Sequence, residues 1–252
     1  FMQALSYENK KLNIKEPFKG LFTQGMVCHE TYKDEKNNWV SPEEVISIDG
    51  KKFLKNKTTE EIKVGPSESM SKSKKNTIDP ENIINDYGAD SVRLFILSDS
   101  PPEKDVQWSD EGMSASFKFI QKLWSLHNKV LDKINNEYNE EENNELLKFT
   151  HKFVKKISQN LDNFSYNIVI ANMHEMYSFL NKELDKKYKK KTILENYKKI
   201  LISIMPVVPH FANECLKNLN FENNISWPEY DDNLTTDDNI LVVVQINGKK
   251  RG

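Results

Sequence analysis

The spacing of apolar residues changes character near residue 79. Ahead of that point the apolar positions come in short runs that alternate or stop at turn residues, as strands do. Met26 to Tyr32 predicts one strand, and Lys36-Asn37-Asn38 predicts a turn back into Trp39-Val40. Asp49-Gly50, between Val45-Ile46-Ile48 and Phe53-Leu54, is a hairpin signal, because these residues tolerate the positive φ that a tight turn needs. Ile62-Lys63-Val64 alternates as a last strand, which Gly65-Pro66 is expected to break.

From Asp79 onward the apolar period lengthens to that of a helix. Asp79-Pro80-Glu81 combines an N-cap, a proline at the first helical position and an acid in the first turn. Gly88 should end this short helix, Asp90 should start a second through Val92, Phe95 and Ile96, and Pro101-Pro102 should stop it. Ser109-Asp110-Glu111 opens a long helix with apolar positions Met113, Phe117, Ile120, Trp124, Leu131 and Ile134. Further stripes follow: Leu147, Phe153, Val154, Ile157 and Leu161, then Ile170, Met173, Tyr177, Leu180 and Leu184. Ile193, Tyr197, Ile200, Leu201 and Ile204 mark another helix, and Pro209 begins a last one through Phe211, Ala212, Leu216 and Leu219. Successive helices with apolar stripes predict a bundle. Ile240 to Ile246 reads as a strand, and Asn247-Gly248 as a type I′ turn into Lys249-Lys250-Arg251. That strand needs a partner, and the chain opens abruptly on Phe1-Met2-Gln3, so the expectation is a piece of a longer protein.

At 252 residues, 37% hydrophobic and 29% charged, the chain has the composition of a globular protein with a well-solvated surface. Its net charge of -2 hides segregated signs: lysines gather at residues 51–75 and 182–199, acids at 137–145 and 222–238. Each block is by default a solvated face, and a basic block on a helical surface also suits phosphates. Cys28 and Cys215 stand far apart without a C-x-x-C pair, which predicts free thiols in a reducing compartment. Cys28-His29 lacks a second pair to complete a metal site, so no metal is expected. No apolar run approaches the ~20 residues of a membrane helix. His127, His151, His174 and His210 fall singly on predicted helices, and Phe117, Trp124, Phe153 and Tyr177 read as bundle core.

The candidate chemistry lies at Met70-Ser71-Lys72-Ser73, a loop of hydroxyls and lysines between a glycine–proline break and a helix start. By composition alone it is a solvated connector. Lysines and hydroxyls on a mobile loop nevertheless suit a polyphosphate, since an ammonium group neutralises a nonbridging oxygen and hydroxyls donate to others.

Ser69-Met70-Ser71-Lys72-Ser73 resembles the Lys-Met-Ser-Lys-Ser signature of class I aminoacyl-tRNA synthetases. Lys74 to Pro80 and Tyr87-Gly88-Ala89-Asp90-Ser91-Val92-Arg93-Leu94 follow in that family's order. Three stretches are similar to the leucine enzymes in particular: Glu16-Pro17-Phe18 to Val27, Val64-Gly65-Pro66, and Ser100-Pro101-Pro102-Glu103 to Trp108-Ser109. Pro206-Val207-Val208-Pro209-His210 resembles the final bundle helix of the same group, and Leu241 to Gly248 the start of its small C-terminal domain. One departure stands out: the first signature lysine is replaced by Ser69.

The resemblance implies a mainly α chain built as a C-terminal portion of such an enzyme. Residues 1–108 would be the β-rich end of a catalytic domain, 109–222 an anticodon-binding-like α-helical bundle, and 223–252 a linker and the start of a small α/β domain. It implies a ligase that activates leucine with ATP and Mg²⁺ and transfers it to tRNA(Leu). Such an enzyme would be cytoplasmic and monomeric, and this portion inactive by itself. Met70, Ser71, Lys72 and Ser73 would bind ATP, with Met70 packing the loop and Lys72 catalytic. Lys187, Lys190 and Lys191 would meet the tRNA backbone. Two alternatives stay open: a valyl or isoleucyl enzyme, and a non-catalytic tRNA- or protein-binding module that kept the architecture. Ser69 is the one positive sign for the module.

Overall fold

The computed structural model describes residues 18–135, 144–223, 225–236, 245–246 and 249–250. Small sheets come first and seven α-helices follow among these residues, so the mainly α expectation holds. No helix among them is long and apolar enough to cross a membrane.

The central strand is β1, Val27–Lys33. On one side it pairs antiparallel along its length with β6, Lys63–Ser69. On the other side it meets β2, Trp39–Val40, near its end, and β7, Val106–Gln107, in parallel near its start. A second sheet takes β3, Val45–Ile48, β4, Lys51–Leu54, and β5, Lys57–Glu61, in that order. The β3–β4 turn is the expected one, with Asp49 at φ 49° and Gly50 at φ 78°.

Gly65-Pro66 does not break its strand. β6 runs through both residues as an edge strand, and the pairing with β1 slips by a bulge between Glu30 and Thr31. Proline is tolerated there because an edge strand can spare an N–H. Gly65 is required, since a Cβ on it would stand 2.5 Å from Thr31 Oγ1, whose hydroxyl donates to the Pro66 carbonyl at 3.1 Å.

The helices are α1, Pro80–Tyr87; α2, Ala89–Ser98; α3, Asp110–Asn135; α4, Glu145–Asp162; α5, Tyr166–Glu183; α6, Lys190–Ile204; and α7, Pro209–Asn218. α1 starts as its sequence dictates, with the Asp79 carboxylate accepting from the Glu81 N–H at 2.9 Å, and it stops at Gly88, φ 81°. In α3 the deepest positions are Met113, Phe119, Leu123, Leu126 and Val130, whereas the expected Phe117, Trp124 and Leu131 lie on its half-buried flanks. The reason is that α3 is packed by α2, α5, α6 and α7 and so carries an apolar surface wider than one stripe. Of the aromatic set, Phe153 is buried in the core, Trp124 meets Phe211 edge-on at 4.9 Å, and Tyr177 leans on Phe119 at 6.0 Å.

One continuous core runs through the bundle from Leu94 to Leu216. A smaller cluster of Phe95, Val106 and Met113, with Ile83, Tyr87 and Trp108 against it, ties α1 and β7 to α3. Neighbouring residues of α2 thus serve different cores, Leu94 the bundle and Phe95 the β-rich part. The acidic run 137–143, the turn residues Asn247 and Gly248, and most of the strand expected at 240–246 lie outside the described residues. Gln245–Ile246 and Lys249–Lys250 pair antiparallel as β8 and β9.

Two side chains of α2 bolt it to the turn between α6 and α7. Asp90, buried, accepts from the backbone N–H of His210 at 3.3 Å, from its Nδ1 at 2.9 Å, and from the Phe211 N–H at 2.7 Å. Arg93 donates from Nε to the Val207 carbonyl at 3.1 Å and from Nη2 to the Pro206 carbonyl at 2.6 Å. Val208 stands at the N-cap of α7 and has no side chain that can accept, so Asp90 caps that helix from another one. Asp90→Ala is expected to lower stability by about 2 kcal/mol, because it leaves orphaned donors at a buried helix start. Urea unfolding followed by circular dichroism measures this, and a loss under about 0.5 kcal/mol would contradict the capping role.

Three bundle histidines titrate low, each chiefly because burial disfavours the imidazolium. They are His127, His151, where Lys199 adds to the effect, and His174, where Lys122 does. His127 is fully buried, with Nδ1 at 3.3 Å from the Tyr197 hydroxyl and Nε2 without a hydrogen-bond partner. Since their folded values lie below the ordinary 6.5, the histidine contribution to stability is intact above that pH. As pH falls through it, the unfolded chain takes up protons that the folded bundle refuses, and stability is lost. The melting midpoint should therefore drop between about pH 7 and pH 5.5, above the carboxylate range. His127→Phe should flatten that drop; an equal drop in the variant would remove His127 from the account.

Candidate functional site

β6 carries the chain to Ser69, opposite Cys28 of β1, and the signature loop leaves from there. Met70 donates its N–H to the Val27 carbonyl at 3.1 Å, so the strand contact extends one residue into the loop. Lys72–Lys74 form a single 3-10 turn, closed by Lys75 in the left-handed region at φ 54°. The Ser71 and Ser73 hydroxyls meet at 2.8 Å, and Lys74 is ion-paired with Glu68 of β6. The Lys72 side chain is exposed and its ammonium makes no hydrogen bond or ion pair among the described residues, while the Lys72 carbonyl accepts from the Lys75 N–H at 3.3 Å. Of the loop's three lysines, Lys72 and Lys75 both present exposed, uncommitted ammonium groups among the described residues, and the signature singles out Lys72, while Lys74 is committed to the loop's base.

Beneath the loop lies Asn76, 1% exposed. Its Oδ1 accepts from the Ser71 N–H at 2.8 Å, and its Nδ2 donates to the carbonyls of Glu68 at 3.1 Å and His29 at 3.2 Å, with Ser69 at 3.5 Å. An asparagine among lysines reads as loop in the sequence, and its place inside the motif was the only signal available.

Ser69, where the signature has lysine, is the exposed last residue of the strand rather than part of the turn, and its Oγ lies 4.0 Å from Cys28 Sγ. Cys28 and Cys215 are both buried and unbonded. Burial pushes the Cys215 thiol well above its usual range. His29 directs Nδ1 to the Glu30 carbonyl at 2.7 Å and sets its ring edge-on to Tyr32. A cleft of about 740 Å³ opens between the second sheet and α1, lined by His29, Tyr32, Lys52, Asp79 and Asn82, and no residue from Met70 to Lys75 lines it. Among the described residues, no group of three or more His, Cys, Asp or Glu could hold a metal ion.

The remaining candidates form a separate surface group. Lys187 is exposed in the α5–α6 turn, and Lys190 and Lys191 open α6. Lys191 lies 3.7 Å from Glu195, and neighbouring Lys186 is held by Glu145 and Glu183. Three cations crowd a helix start, where the backbone dipole disfavours them. His210 sits in the first turn of α7 as its sequence position implies, and it serves the Asp90 junction.

A family profile for "tRNA synthetases class I (I, L, M and V)" matches residues 62–109, and one for "Anticodon-binding domain of tRNA ligase" matches 143–252. Leucine--tRNA ligase of Rickettsia massiliae is 40% identical over the whole chain, which covers 30% of that relative. Leucine--tRNA ligase of Zymomonas mobilis is 39% identical over 96% of the chain and 28% of the relative. That of Bartonella tribocorum is 40% identical over 100% of the chain and 30% of the relative. The fold matches a crystal structure of the ternary complex of Agrobacterium radiobacter K84 agnB2 LeuRS-tRNA-LeuAMS. The TM-score is 0.66 and the identity 21%, over 100% of this chain and 29% of that one. The chain thus spans about 30% of the length of the curated relatives it matches. With the signature loop on its strand end and the helical bundle behind it, the chain is similar along its whole length to a stretch of leucine--tRNA ligase and carries matches to a class I tRNA synthetase profile and an anticodon-binding profile.

Proposed function

We propose that this stretch supplies the ATP loop and a tRNA-binding bundle to a ligase that joins leucine to tRNA(Leu). The observation that carries the reading is the exposed Lys72 ammonium, which has no partner among the described residues, on a turn whose base is tied down by Asn76 and by the Lys74–Glu68 pair. A carboxylate oxygen of leucine attacks the α-phosphorus of ATP, and pyrophosphate leaves with the electrons of the broken P–O bond. Charge moves onto the departing phosphates, where the Lys72 ammonium stabilises it more than in the ground state. Ser71 and Ser73 donate to phosphate oxygens, and Met70 packs the loop. The ammonium groups fit phosphate oxygens and repel a dication, so in this reading Mg²⁺ arrives with ATP and is not held by this loop. The whole enzyme is the cytoplasmic, monomeric catalyst of this reading, and the stretch alone has no expected activity. Its proposed units are residues 1–108, 109–222 and 223–252, with α2 packed into the cores of the first two.

In the full-length enzyme, Lys72→Ala should lower the turnover of leucine-dependent ATP–pyrophosphate exchange about a hundredfold, on the order of 3 kcal/mol, and change the ATP KM much less. The matched control is Lys75→Gln, because Lys74 already holds Glu68. Ser69→Lys should leave activity equal or higher. Equal effects of Lys72→Ala and Lys75→Gln would make Lys72 one charge among several. Full activity in Lys72→Ala would favour the non-catalytic module instead.

Lys187, Lys190 and Lys191 are the proposed contacts to the tRNA backbone, supported by the exposure of all three and by the place of Lys190 and Lys191 at a helix start, where phosphate would relieve them. Affinity for tRNA should fall by about 0.7–0.9 log units per log of salt for each phosphate neutralised. Replacing the three lysines by glutamine should flatten that slope; an unchanged slope would return the block to an ordinary solvated surface.

A further inference from the structure

We propose that Asn76 is the positioning residue of the signature loop: its buried amide sets where Lys72 stands, a role that rests on the reading of Lys72 as the phosphate ligand. The partners of that amide come from three segments. His29 belongs to β1, Glu68 and Ser69 to the end of β6, and Ser71 to the first residue before the turn. Its orientation is dictated by chemistry, because three backbone carbonyls can only accept and the Ser71 N–H can only donate. A flipped amide would set oxygen against three oxygens.

The Ser71–Asn76 bond closes the loop on itself, since the two residues flank Lys72, Ser73, Lys74 and Lys75. The same side chain fixes that closed ring to the strand pair beneath. Displacement of Lys72 toward or away from a phosphate must therefore pivot at Ser71 and Asn76, without unzipping β6 from β1. At 1% exposure the amide has no water to replace a lost partner, so its bonds are held together or lost together. This is a demand for geometry rather than for charge. A lysine elsewhere in the loop could not substitute for it.

The informative variant is Asn76→Asp in the full-length enzyme, which keeps the shape and an acceptor for Ser71 but cannot donate to the carbonyls. Adenylate formation should slow by about ten- to a hundredfold with the ATP KM little changed, as for a displaced catalytic group. In Asn76→Asp combined with Lys72→Ala the loss should be no greater than in Lys72→Ala alone, because a positioning residue acts through the group it positions. Trypsin cleavage after Lys72, Lys74 or Lys75 should quicken several-fold while the melting of the bundle stays unchanged. Losses that add in the double variant, or unaltered trypsin sensitivity, would overturn the proposal. If Lys72→Ala alone is fully active, the reading of Lys72 has failed, and the trypsin result still decides whether Asn76 holds the loop. Should Asn76→Asp not fold, Asn76→Ser is assayed by trypsin, and a loop as protected as in the parent overturns the proposal.

Discussion

Two charged residues one helical turn apart, Asp90 and Arg93, hold the α6–α7 turn from opposite sides of its polarity. The carboxylate takes the N–H groups where α7 begins, and the guanidinium takes the carbonyls where α6 has ended. An apolar contact at this place would leave the buried Phe211 N–H unpaired. Because α2 also places Leu94 in the bundle core and Phe95 in the cluster beside α1 and β7, the junction fixes the bundle relative to the loop-bearing strands. Two motifs more than a hundred residues apart in sequence are thus one physical device.

The strand β1 plays the matching part on the other side. It pairs with β6, which delivers the loop, and with β7, which leads through Trp108 into α3. Loop and bundle therefore share a rigid neighbour. The small β3–β5 sheet lies between β2 and β6 in sequence and packs Val45 and Leu54 against Tyr32, Val40 and Ile62. The loop itself combines a fixed base with an uncommitted cation. That division places the substitution at Ser69 outside the turn that carries Lys72, on the exposed end of the strand.

Much of this was legible because it is local. The Asp79-Pro80 start, the stop at Gly88, the Asp49-Gly50 turn and the bundle stripes all follow from backbone chemistry within a few residues. Gly65-Pro66 misled because its outcome depends on lying at a sheet edge opposite Thr31, which no local pattern encodes. The phase of α3 misled because several neighbours widen its buried face. Lys72 was singled out through its motif, and it stands exposed on the turn. The burial of Asn76 was not, since it arises from a carbonyl 47 residues away. Asp90 was expected to open its own helix, and its larger task is to cap another one, 121 residues on.

That distance has a consequence for how the chain acquires its shape as it is made. A ribosome adds roughly 5–20 residues per second. The acceptor on α2 is thus complete about ten seconds before the donors it caps leave the exit tunnel, given a separation of 120 residues. During that interval Asp90 and Arg93 stay hydrated and the nascent α3 to α6 can collapse among themselves through nearby contacts. The joint between α2 and the α6–α7 turn can form only after that interval. Emergence of Pro206 to Phe211 therefore sets the earliest moment at which α2 can be fixed to the far end of the bundle.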